Sequence, residues 1–144
     1  MHFAILDRRL RALGAGYGAL PAHAGPWDAA AATAEDAMGR IAVVLMVLEG
    51  WGLDVTSDTA ARFRAAGDEA SARILQRIHT DDIRHVRIGV KWFGALAAKA
   101  GLEPAPLWRE KAARYFRGAL KPPFNDSARS EAGLTRDYDA LIAC

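Results

Sequence analysis

LQRIHTDDIRHVRIGVKWFGAL, residues 75–96, decides how this chain folds. Read in steps of three and four, it gives the stripe Leu75, Ile78, Asp82, His85, Gly89, Trp92 and Leu96. That is the spacing of one core-facing side of an α-helix. A carboxylate and an imidazole stand at its centre. An unpaired carboxylate buried among apolar side chains is strongly unfavourable or gives up its charge, so the pair needs a partner. Asp-x-x-His, one helical turn apart, presents both groups to one point, as a metal ion requires. The other reading is a structural pair in which Asp82 accepts from His85 and fixes helix register.

Working outward, the long helix is predicted over about 68–99 and is closed by Gly101. His2 to Leu13 reads as a short helix stopped by Gly14, and the breaker-rich stretch Gly14 to Pro26 as a loop. A further helix is expected from Trp27-Asp28 through the apolar run Ile41 to Leu48, as far as about Gly50, with Gly52 helping to end it. A short helix then starts over Asp54 to Ser57, with Thr56 or Ser57 as N-cap, and stops near Gly67. After the long helix come a helix over Pro106 to Phe116 and an extended connector, Lys121 to Asn125. One or two short helices are expected within Asp126 to Ile142. Strand-like alternation is scarce and no repeat appears, which gives an all-α class in one domain over 1–144.

The apolar runs fall well short of the ~20 residues that span a bilayer. The N-terminal apolar stretch precedes its charges, Asp7-Arg8-Arg9, which is the wrong order for a secretory signal; a cytoplasmic protein without a membrane partner is expected. The single cysteine, Cys144, permits no intrachain disulfide and no thiolate cluster, so any metal must be held by oxygen and nitrogen. A net charge of +2 is too small to imply nucleic acid. The basic run Arg73, Arg77, Arg84, Arg87 and Lys91 reads as a solvated flank, and nucleic acid is disfavoured as a partner.

A second polar residue interrupts the stripe Ala31, Glu35, Met38, Ala42, Leu45, Glu49. Glu49 follows the apolar run directly, so its face is expected to be partly buried. Glu35 lies ~20 Å up the helix, too far to share a site, and reads as solvated. If the chain between Leu53 and Gly67 returns along the bundle, Glu49 meets Asp82 and His85. One Glu on a helix and a carboxylate-x-x-His on its neighbour form half of a di-metal carboxylate site in a four-helix bundle. His2 is the candidate histidine of the other half, whose carboxylate would fall before Met1. His23 and His79 read as structural or exposed, and Trp51, Trp92 and Phe93 as core. Gly89 reads either as a point of close helix approach or as a weak spot in its helix.

Several runs occur in order: GYGALPAH (16–23), MVLEGWGLDV (46–55), RFRAAGD (62–68), DDIRHVRIG (81–89) and LKPPFN (120–125). Together they resemble the bacterial ferritin-like proteins of the domain-of-unknown-function 455 family, from His2 to about Tyr138, in the later part of a family member. The resemblance implies a ferritin-like helical bundle, N-terminally incomplete, with Glu49, Asp82 and His85 on the metal side. It matches His2 to the end of the family's earlier Asp-Glu-Ala-Arg-His-Phe type motif. Asp82 stands where the family pattern has Glu, and the earlier helix and first Glu-x-x-His carboxylate are absent.

The expectation is a carboxylate and histidine metal protein holding iron, with manganese the other ion that suits these ligands. If the centre is active, its chemistry is oxygen-dependent oxidation. One chain supplies three or four ligands, so one weakly held ion per monomer is expected, and a full site calls for a homo-oligomer or a missing N-terminal segment. A different class of reading is a truncated, non-catalytic helical module that oligomerises through its exposed apolar seam.

Overall fold

His2–Ala12 forms α1, and Gly25–Ala32 and Ala37–Arg40 form α2 and α3. Past Arg40 the backbone keeps right-handed helical angles through a π-helical segment, Ile41–Leu48, and runs on into α4, Glu49–Ala65. The longest helix, α5, covers Glu69–Lys99, followed by α6 (Pro104–Tyr115), α7 (Asp126–Glu131) and α8 (Arg136–Asp139). This computed structural model describes residues 1–139, and among the described residues there is no strand; the all-α helical bundle class holds. The end of the last expected helix and Cys144 lie outside the described residues. No helix is long and apolar enough to cross a membrane.

Two boundaries differ from the expectation. The helix expected from Trp27 to Gly50 breaks at Thr33 to Asp36, where the Asp36 carboxylate accepts from the Gly39 N–H at 2.8 Å and starts a new helix. That new helix does not end at Gly52, and neither Thr56 nor Ser57 is an N-cap: helix continues to Ala65. Mid-helix glycine costs about 1 kcal/mol against alanine, which packing outweighs here. Gly50 is buried against Leu134, and Gly52 leaves room for Asp82, whose Oδ2 would stand 3.2 Å from an added Cβ.

Reversal between α4 and α5 takes three residues. Gly67 adopts φ +79°, the Gly67 N–H donates to the Arg64 carbonyl at 2.9 Å, and the Asp68 N–H donates to the Phe63 carbonyl at 2.8 Å. This is a Schellman stop, for which glycine at the left-handed position is the usual residue. Asp68 then caps α5 by accepting from the Ser71 N–H. Glu49 lies 18 residues before Gly67 and His85 18 residues after it. At 1.5 Å per residue both stand ~27 Å from the turn, level with one another.

The core-facing row of α5 is Ala72, His79, Asp82, Val86, Gly89, Phe93 and Ala97. It shares Asp82 and Gly89 with the expected stripe and is otherwise turned by one position. The reason is that α4 and the π-segment pack closely on one side of α5, while α1 lies along Leu75 as a looser layer that buries no residue of its own. His79 is therefore buried, whereas Trp51 and Trp92, expected in the core, are each 56% exposed. Phe93 is fully buried, a contribution of ~2–3 kcal/mol. Gly89 is a close-approach point: an added Cβ would stand 2.8 Å from Leu45 Cβ.

α6 packs on the π-segment, and the buried Trp108 indole N–H donates to the Ala42 carbonyl at 3.3 Å. α7 closes the other side through a buried ion pair, Arg129 with Asp54 at 2.7 Å. The Arg129 guanidinium also stacks over the Phe124 ring. The connector around Pro122 to Asn125 is held to α4 by the Asn125 side chain, which donates to the Leu53 carbonyl.

Candidate metal centre

Two elements deliver three ligand-type groups to a single point: His2 opens α1, Asp82 lies in the middle of α5, and His85 follows one turn later on the same helix. Their nearest ligand atoms all lie within 4.8 Å of one another. Asp82 Oδ1 is 3.4 Å from His85 Nδ1 and 3.8 Å from His2 Nδ1. The two imidazoles are stacked obliquely, with centroids 5.4 Å apart. Glu49, at the start of α4, closes the fourth side with Oε2 at 3.5 Å from His85 Nδ1. All four residues singled out in the sequence thus meet. His2, Asp82 and His85 form the compact set, and Glu49 stands at its edge.

α1 buries no residue of its own and is fastened at both ends by polar contacts to α5. At one end Arg9 donates to Asp68 at 2.7 Å and to the Ser71 hydroxyl at 2.9 Å. At the other, His2 Nε2 donates to Asp81 Oδ2 at 3.1 Å. The hydrogen bond from His2 holds the Asp81 carboxyl below the usual carboxylate range.

When the ring is neutral, this bond places its proton on Nε2 and leaves the Nδ1 lone pair toward Asp82, 3.8 Å away. An orienting carboxylate behind a histidine is the common support of a metal ligand. Sequence reasoning passed over Asp81, although its position beside Asp82 put it in reach of whatever Asp82 touched.

Asp82 is 5% exposed, and its Oδ1 has no hydrogen-bond partner. Buried oxygens are nearly always satisfied, so this one calls for a cation or a proton. Burial pushes the Asp82 carboxyl up to about 7, and neighbouring Glu49 adds to the shift; His2 and His85 pull the other way. The contacts to His85 and His2 are longer than the 2.7–3.2 Å of a good N–H···O bond. A carboxyl oxygen and two imidazole nitrogens thus converge on a small space without closing on each other. His85 and Glu49 keep 40% and 30% of their side chains exposed, which leaves the set open to solvent on one face.

The π-segment ends at the residue before Glu49. A π-helical turn takes up extra residues per turn and so resets the direction of the side chains after it. Here it buries Ala42, Val43, Met46 and Val47 while directing Glu49 to the site. The sequence carries no signal for this segment beyond its apolar character.

Fold and centre define a helical protein with a nitrogen–oxygen cluster of metal-ligand type. The chain belongs to the family described as protein of unknown function (DUF455), whose pattern matches residues 1–139. Among curated proteins it is 39% identical, over 135 residues, to an uncharacterized protein of Haemophilus influenzae. That match covers 94% of this chain and 47% of the relative, so the chain spans about half the length of the curated relative it matches. No solved structure matches.

Proposed function

We propose that this protein is a metal-binding helical protein of ferritin-like descent, holding iron, or manganese in its place, on Asp82, His85, His2 and Glu49. The observation that carries the reading is the buried, unpartnered Asp82 Oδ1 facing two imidazole nitrogens. The donor set fits: two imidazoles and two carboxylates suit iron and manganese, and no thiolate among the described residues is in reach to favour softer ions.

An iron ion held there would supply oxygen-dependent oxidation. Asp82 and His85 would hold the ion from the core side, His2 would supply the nitrogen that Asp81 orients, and Glu49 would border the open face. A proton on Asp82 would compete with the cation, so binding is expected to weaken as pH falls.

Anaerobic calorimetric titration with Fe(II) and with Mn(II) tests this. One ion per chain is expected for the wild type. A variant carrying Asp82→Ala and His85→Ala is expected to lose it while keeping its helical circular dichroism. Equal binding by both proteins, or two tightly held ions per monomer, contradicts the proposal.

A second reading rests on a different observation. Ile88 and Trp92 continue from His85 along one face of α5 and are 51% and 56% exposed. An apolar stripe at that spacing suits a helix-on-helix contact. In this reading the chain is a non-catalytic module that oligomerises through that stripe. A concentration-dependent mass in light scattering, abolished by Trp92→Lys while metal binding stays absent, favours it.

A further inference from the structure

Leu48 and Trp51 flank Glu49 in sequence, yet they line a separate cavity of about 700 Å³ to which Glu49 contributes nothing. The volume falls within the ~300–1,000 Å³ typical of small-ligand sites. Its walls come from α2 and the stretch before it, from the end of the π-segment and the start of α4, and from residues 115–120.

Three aromatic rings face it: Trp51, Tyr115 and Phe116. Trp51 is exposed near the start of α4, whereas the Tyr115 hydroxyl donates to Asp36 at 2.9 Å and the Arg114 guanidinium lies over one face of its ring, so Trp51 offers the most open ring surface to a ligand. Two donors stand with the rings. His23 Nδ1 accepts from the Gly25 N–H at 3.1 Å, which places the proton of the neutral ring on Nε2, free to donate. The Arg117 guanidinium has no ion-pair or hydrogen-bond partner among the described residues. Asp28 is the one carboxylate on the wall.

A guanidinium takes an oxyanion through paired hydrogen bonds. Aromatic faces take planar rings of any sequence or type by stacking. A carboxylate takes an amino group. From this combination we propose that the cavity binds a mononucleotide with an amino-bearing base: phosphate toward Arg117 and His23, base against the aromatic wall, exocyclic amino group toward Asp28. The shared chemistry, a planar aromatic body with an oxyanion, also describes an aromatic carboxylic acid, and Asp28 is what favours the nucleotide.

Calorimetric titration of the full chain with adenosine 5′-monophosphate, inosine 5′-monophosphate, adenosine and 2-naphthoate decides between them. Adenosine 5′-monophosphate is expected to bind, with adenosine weaker by about tenfold for loss of the phosphate contact, and inosine 5′-monophosphate weaker for loss of the amino group. Arg117→Ala is expected to bring the nucleotide most of the way down to the affinity of the nucleoside, His23 keeping the remainder, and Trp51→Leu to weaken both by about tenfold or more. Both residues are exposed, so the variants are expected to keep their helical circular dichroism. No binding of the nucleotide at millimolar concentration overturns the proposal, as does binding that both substitutions leave unchanged. Preference for 2-naphthoate over the nucleotide overturns it too. Neither residue touches the His2, Asp82 and His85 set, so metal content stays that of the wild type in both variants, and the two readings fail independently.

Discussion

Asp82 carries a carboxyl oxygen into the core at a place where the His2 and His85 imidazoles and the Glu49 carboxyl face it. Its neighbour Asp81 does the complementary work, gripping the far nitrogen of His2 so that the near one points inward. Removing that grip leaves His2 on α1 free to rotate without disturbing anything buried. Asp81→Ala is therefore expected to lower metal affinity about 10- to 100-fold with little change in thermal stability, measured by metal titration alongside a melting curve. Had Asp81 been only a surface charge, affinity would stay unchanged.

Among the elements, the α4–α5 hairpin sets the level of Glu49 against His85, and its attachments decide how firmly it does so. Arg129 on α7 and Asp54 on α4 form an ion pair with side chains only 2% and 4% exposed. Arg129→Ala strands a buried carboxylate and is expected to cost about 3–5 kcal/mol, read from the urea midpoint.

Asp36 joins α3 to α6 by accepting from the Lys111 ammonium at 2.8 Å and the Tyr115 hydroxyl at 2.9 Å. Burial alone would raise its pKa, but Lys111, the Gly39 N–H and Tyr115 outweigh it and hold the carboxyl at about 2. Its folded pKa thus lies below the unfolded value, so its stabilisation is complete above about pH 4 and is lost as pH falls through 2. Asp36→Asn is expected to lower stability at pH 7 by about 1 kcal/mol and to flatten the acid dependence between pH 4 and 2, which urea unfolding at several pH values measures.

At the scale of the whole molecule, the parts readable in the sequence are those written in local chemistry. Asp68 and Gly101 mark the two ends of α5 because capping and left-handed glycine act within a few residues. The Asp82 and His85 pair is readable because a helix repeats every 3.6 residues. The continuation of α4 through Gly50 and Gly52 is not, since it depends on burial against residues far along the chain.

The same holds for Trp51 and Trp92. An aromatic at helical spacing does not reveal on which side its neighbours stand, and the close packing of α4 and the π-segment on α5 turns the buried row by a position. His2 is a candidate in the sequence, but its placement is not legible there: a residue at a chain end is usually loose, and the docking of α1 through Arg9 and Asp81 brings it to Asp82.

The centre itself is tested most directly by electron spin-echo envelope modulation of Mn(II) bound to the protein, which reads nitrogen nuclei bonded to the ion. Coupling to two imidazole nitrogens is predicted for the wild type, falling to one in His2→Ala and one in His85→Ala. A wild-type spectrum without nitrogen coupling, at saturating manganese, would contradict the account.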